Sequence, residues 1–161
     1  ADGPRFSAFA SFYAGCSFDF EDFRPNGSPV LLMMGAEDES MAVPRCEWLR
    51  DRLIQHWVDA RLEVYPGAAH GWEQPYPMQF DPEAAVTRDC IMLWTASGEN
   101  IETTTGHSID SMLGALRAFS SCAGQGYTQG RHEPTMEKSW QDFHQFLLQS
   151  WGKDAQRMHQ F

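Results

Sequence analysis

The chain has 161 residues, 42% of them hydrophobic and 13% aromatic, a composition of a globular domain rather than a disordered segment. Its formal charge of −10 argues against nucleic acid or an anionic membrane surface as partner. No apolar run approaches the ~20 residues that span a bilayer, and no charged segment followed by an apolar one opens the chain as a signal peptide.

In chain order, Phe6 to Tyr13 alternates aromatic and small residues and predicts a strand. Phe18 to Ser28 reads as loop, acidic and aromatic, with Pro25, Asn26 and Gly27 as turn signals. Val30 to Met34 is a short, bounded apolar run of the kind found in a central parallel strand. Pro44 to Gln55 predicts a helix, with Trp48, Leu49, Arg52 and Leu53 at helical spacing and Pro44 suited to the first turn. Arg61 to Tyr65 predicts the next strand. Strand, helix, strand is a βαβ unit, whose crossover brings both strand ends to one edge of a sheet.

Beyond it, Cys90 to Thr95 and Ile101 to Thr105 read as the arms of a hairpin around Ser97-Gly98-Glu99-Asn100. Ser108 to Cys122 reads as a helix with Met112, Leu113, Leu116 and Phe119 on one side. Residues 90–133 are therefore expected to be an excursion inserted before a final helix at 134–151, with 152–161 as a tail and residues 1–89 as the strand and helix core of one partial domain. Thr135 is the expected N-cap, and Trp140, Phe143, Phe146, Leu147 and Trp151 form the apolar face.

Two segments carry the chemistry. Pro29 to Asp38, P-V-L-L-M-M-G-A-E-D, and Leu62 to Trp72, L-E-V-Y-P-G-A-A-H-G-W, each end an apolar run in a Gly-containing turn. The first turn delivers Asp38 and the second His70. An acid and then a histidine, each just past a buried strand, is how an α/β-hydrolase presents two members of its catalytic triad. His70 has the role of general base and Asp38 that of orienting carboxylate; Glu37 and Glu39 are the alternatives for the acid. A lone loop histidine is ordinarily a surface residue, but this one follows a buried strand whose predecessor ends in an acid.

The nucleophile elbow G-x-S-x-G, or its Cys form, is absent. Tyr13-Ala14-Gly15-Cys16-Ser17 lacks the second Gly, and Cys16 reads better as a small buried residue at a strand end. Only 37 residues precede Asp38, too few for the elbow and the first oxyanion-hole loop. The chain is accordingly expected to be the C-terminal part of a larger hydrolase and inactive alone.

Cys16, Phe18 and Trp72 are candidates for a pocket near the site. His107 and His132 read as surface residues, because no H-E-x-x-H and no paired-cysteine spacing accompanies them. No cofactor and no metal is expected. Cys16, Cys46, Cys90 and Cys122 read as buried thiols or, in an exported protein such as a periplasmic one, as two disulfides. If they pair, locality favours Cys16 with Cys46 and Cys90 with Cys122.

Y-A-G-C, P-V-L-L-M-M-G-A-E-D and V-Y-P-G-A-A-H-G-W together resemble the dienelactone hydrolase family of α/β-hydrolases, over roughly residues 6 to 89 and more weakly over the final helix. The resemblance implies a mostly parallel sheet and hydrolysis of a small carboxylic ester or lactone. It implies the acid at Asp38 and the base at His70, with the family's Ser or Cys nucleophile lacking a counterpart. A partner is then expected, either a missing N-terminal half or a second copy. The alternative is a non-catalytic binding or assembly module built on the same fold. Similar sequences commonly carry Gly where this chain has Trp57, so strain or a different helix end is expected there.

Overall fold

The computed structural model describes residues 6–158, with side chains described through residue 152. Its centre is a three-stranded parallel sheet in the order β1 (Phe9–Phe12), β3 (Val30–Gly35), β4 (Ala60–Tyr65). The apolar run of β3 lies in the middle because it alone is buried along nearly its whole length. Its side chains alternate between two cores, as the two-residue period of a strand requires. Leu31 and Met33 pack with Tyr65, Trp72 and Phe146. Leu32 and Met34 pack with Ala14, Cys16 and Cys46 on the opposite face.

Helix α1 (Val43–Gln55) connects β3 to β4 and covers the second face, with Pro44 in its first turn. It ends at His56, and the chain then turns through Trp57 at φ 63°, a left-handed conformation at a side chain that is 95% exposed. The strain expected of a non-glycine residue there is present.

Helix α3 (Glu133–Met158) covers the first face through Phe146, Phe143 and Leu147, whereas Trp140 and Trp151 remain half exposed. The helix starts one residue before Pro134 and continues past Trp151, so 134–151 is only its packed portion; residues 159–161 of the expected tail lie outside the described residues. Thr135 is not the N-cap. It sits inside the first turn, 4% exposed, with Oγ1 2.8 Å from the Nδ1 of His132, the residue preceding the helix.

The remainder differs most from the sequence reading. Strand β2 (Phe18–Phe20) lies in the stretch expected to be loop and pairs in parallel with β6 (Met92–Trp94), which forms the antiparallel hairpin with β7 (Asn100–Glu102). Three residues are too few to show a period, and the pairing partner is more than 70 positions away. Strand β5 (Gln79–Val86) pairs antiparallel with β8 (Gly124–Gln129). The excursion therefore opens at Gln79 and closes at Gln129, not at 90 and 133. Pro82 concealed β5, since proline demotes a strand, but the register shift between Asp81 and Ala85 accommodates it.

Helix α2 (Met112–Cys122) lies inside this excursion, capped by Ser111, whose hydroxyl accepts from the Gly114 N–H at 3.1 Å. Disulfides join Cys16 to Cys46 and Cys90 to Cys122, in both cases with Cα atoms 5.0 Å apart. The first ties the turn after β1 to α1; the second ties the end of α2 to the entry of β6.

Candidate active site

Because β3 and β4 are parallel and in register, their last residues, Gly35 and Tyr65, lie side by side at one edge. The turns that follow touch directly. A Cβ on Gly35 would lie 2.3 Å from the Ala68 carbonyl oxygen and 2.9 Å from that of Ala69. Only a residue without a side chain lets the acid turn abut the histidine turn, and the Glu37 N–H then donates to the Ala68 carbonyl at 3.0 Å. At Gly71, φ of 67° reverses the chain after His70 and sends Trp72 into the core.

Asp38 and His70 meet at this contact. The His70 Nδ1 lies 2.9 Å from Asp38 Oδ2, and the Asp38 side chain is fully buried. Asp38 Oδ1 accepts from the Ser40 hydroxyl at 2.7 Å, from the Ser40 N–H at 2.9 Å and from the Met41 N–H at 3.1 Å. Burial pushes the Asp38 carboxyl up, but the hydrogen bonds from His70, Ser40 and Met41 outweigh it and hold the group below the usual carboxylate range.

A carboxylate facing Nδ1 makes this nitrogen the protonated one and leaves Nε2 with its lone pair. The Ser40 hydroxyl also lies 2.8 Å from Nδ1. It therefore stands on the acid's side of the ring, where it supports the carboxylate and is not placed to be activated by Nε2. Nε2 has no hydrogen-bond partner among the described residues.

Two rings flank the imidazole. Tyr13, itself left-handed at φ 53°, has its centroid 5.1 Å from that of His70. Its hydroxyl donates to Glu73 Oε2 at 2.7 Å, and burial together with the Glu73 carboxylate pushes the phenol far above its usual range. Tyr127, from β8, stands edge-on at 5.3 Å, and burial followed by the charges of Asp38 and Asp81 raises it as well. Both phenols thus stay neutral beside the histidine at physiological pH. The Gly130 N–H donates to the His70 carbonyl at 3.0 Å, so the excursion's exit holds the histidine turn from the other side.

The other candidate residues are dispersed. Glu39 turns away from His70 and accepts from the Thr128 N–H at 3.1 Å, joining the acid turn to β8. Glu37 is exposed at the rim of a polar cleft shared with Asp38 and Arg88. Trp72 is fully buried, donates Nε1–H to Ser139 of α3 at 3.0 Å, and packs edge-on against Tyr13 at 4.4 Å. Cys16 is locked in its disulfide and 4% exposed, which removes its thiol as a nucleophile. Phe18 does line an apolar cavity, and Gly15 and Ser17 on either side of Cys16 line it too. His107 and His132 are both partly buried and not simple surface residues; His132 donates its N–H to the Trp72 carbonyl at 3.1 Å, beside the histidine turn, and pairs its Nδ1 with Thr135 Oγ1 at 2.8 Å. Among the described residues, no group of three or more His, Cys, Asp or Glu side chains is arranged to hold a metal ion.

Sequence reasoning missed Ser40, Tyr13 and Tyr127 as neighbours of His70. Ser40 had a local signal, since a residue two places after an Asp in a turn often donates to that carboxylate. Tyr127 had none, because its approach depends on how the excursion folds back.

A parallel sheet whose adjacent strands deliver a buried carboxylate and a hydrogen-bonded histidine to one edge is the architecture of an α/β-hydrolase. The model of the dienelactone hydrolase family matches residues 1–92, more than half of the chain, and the chain belongs to that family. No curated protein and no solved structure matches it.

Proposed function

We propose that this chain contributes the acid and base of a hydrolase acting on carboxylic esters or lactones. Asp38 orients His70, and His70 Nε2 takes the proton of the attacking nucleophile and returns it to the leaving group. The observation that carries this reading is the Asp38–His70 contact at 2.9 Å, with the Asp38 carboxyl buried and held ionised by Ser40 and Met41.

The nucleophile comes from outside the described residues, on the same precursor or on a second chain. Support for this lies at the site. The nearest hydroxyl, that of Ser40, faces Nδ1, all four cysteines are in disulfides, and Nε2 is unengaged among the described residues. Two disulfides suit an oxidising compartment, and we assign the protein to one.

The experiment is to establish the intact mass of the protein from its natural source and to assay that form with p-nitrophenyl acetate. Turnover by a form longer than residues 1–161, abolished by His70→Ala, is expected. The 161-residue chain alone is expected to show none, because removing a nucleophile leaves at most the contribution of binding and the oxyanion hole. A natural form of 161 residues without turnover would instead establish a non-catalytic binding or assembly module.

A further inference from the structure

An apolar cavity of about 240 Å³ lies where the central sheet unit meets the excursion. Gly15, Phe18 and Met41 line it from the core side, and Met92, Ile109 and Phe119 close it from β6, the loop before α2, and α2 itself. No charged side chain lines it. Two of its lining residues adjoin groups of the site, although Asp38, His70 and Tyr13 do not themselves line it. Met41 follows Ser40 and donates its N–H to Asp38 Oδ1 at 3.1 Å. Gly15 lies two residues beyond Tyr13, whose ring packs on His70. The Cys90–Cys122 disulfide holds the last turn of α2, and with it Phe119, over the cavity.

We propose that this cavity binds the uncharged, apolar arm of the ester, running from the imidazole past Tyr13 and Gly15 to Phe119. The assignment to an ester arm rests on the hydrolase reading; occupation of the cavity by a neutral hydrocarbon chain does not. The size sets the class. An apolar cavity of ~150 Å³ admits benzene, so this one takes an arm of roughly six to nine carbons. The walls exclude an arm bearing a carboxylate, because no cation lines the cavity and Asp38 lies just behind Met41. Chain length is then the determinant of specificity. Because Met92, Ile109 and Phe119 come from the excursion, that segment is what confers it.

The probe is a series of linear 2-ketones from hexanone to decanone, which place a carbonyl where an ester would have one and are not hydrolysed. The protein carries [¹³C]methyl-methionine. The Met41 and Met92 methyl resonances are expected to move on titration, while those of Met33 and Met34, both fully buried in the sheet core, stay in place. Affinity is expected to rise about fourfold per methylene and to level off once the cavity is filled. Gly15→Leu supplies the blocking variant. A Cβ there meets only the Met41 sulfur at 3.6 Å, an ordinary contact, and the backbone is outside the left-handed region, so the new side chain fills space instead of straining the fold. It is expected to reduce affinity at least tenfold.

Unmoved Met41 and Met92 resonances at millimolar ketone, equal affinity along the series, or undiminished affinity in Gly15→Leu would each overturn the proposal. Methyl shifts with this chain-length dependence in a protein whose natural form hydrolyses no ester would leave the cavity assignment standing and remove only the hydrolase reading.

Discussion

At the scale of single residues, the Asp38 carboxyl gathers four donors: the His70 ring, the Ser40 hydroxyl, and the Ser40 and Met41 N–H groups. Its folded-state pKa lies below the ordinary 3.8. Such a group binds protons more weakly folded than unfolded, so it contributes stability above the unfolded pKa. That contribution is lost as pH falls through the lower folded value. Urea midpoints measured from pH 7 downward should therefore fall below about pH 4 in the wild type. Asp38→Asn should lower the midpoint at pH 7 and flatten this acid limb; an unchanged limb would show that the carboxylate is not held ionised by the fold. Gly35 makes a second residue-scale prediction. A methyl group there meets a carbonyl oxygen at 2.3 Å, and neither backbone can yield without separating the Asp38 turn from the His70 turn. Gly35→Ala should cost ~2 kcal/mol or more by chemical denaturation and should displace the His70 imidazole resonances in NMR.

At the scale of elements, α1 ends in an unfavourable way. Trp57 adopts φ 63° with its ring almost wholly in solvent, so no buried area compensates the left-handed backbone. Trp57→Gly should raise stability by about 0.5–1 kcal/mol, the relief of strain exceeding glycine's extra unfolded-state entropy, and calorimetry should show a melting temperature higher by ~1–4 °C. The excursion has the opposite problem, since little apolar surface backs its short strands. Its bridge closes a loop between residues 32 positions apart. On the chain-entropy model this is worth ~3–4 kcal/mol. Ellman titration of the denatured, unreduced protein should find no free thiol. Cys90→Ser with Cys122→Ser should leave the central sheet folded while amide exchange in β6, β7 and α2 accelerates; equal protection in both proteins would show that the hairpin and helix stand without the bridge.

At the scale of the whole molecule, apolar surface remains in view. On α2, Met112, Leu113 and Leu116 are 83%, 58% and 64% exposed, and among the described residues β1 pairs on one side only, with β3. A sheet edge and an apolar helix face favour association. Light scattering of the isolated chain at tens of micromolar should give a mass above one protomer or a mass that rises with concentration. A monodisperse monomer of 18.3 kDa at every concentration would contradict this.

Much of the central unit was legible in order along the chain. Val30–Gly35, α1 and Ala60–Tyr65 announce themselves because a buried parallel strand must be continuously apolar and a crossover helix must carry an apolar stripe. Gly35-x-x-Asp38 and His70-Gly71 mark the ends of those strands, because backbone crowding at the sheet edge imposes a sequence-local requirement. Information of another kind was needed for β2, β5 and β8. Each is short or interrupted by Pro or Gly, and each is stabilised by a partner tens of residues away, so no local period records it. For the same reason Trp72 read as a pocket residue. Its aromatic ring suits a pocket as well as a core, and only the packing of the sheet against α3, with Tyr65, Phe146 and Ser139 around it, places it in the interior. The cavity of Phe18, Met41 and Phe119 likewise exists only once the excursion has folded back across the acid turn: apolar side chains declare that they will be buried, but the shape they leave between them is a property of their packing in three dimensions.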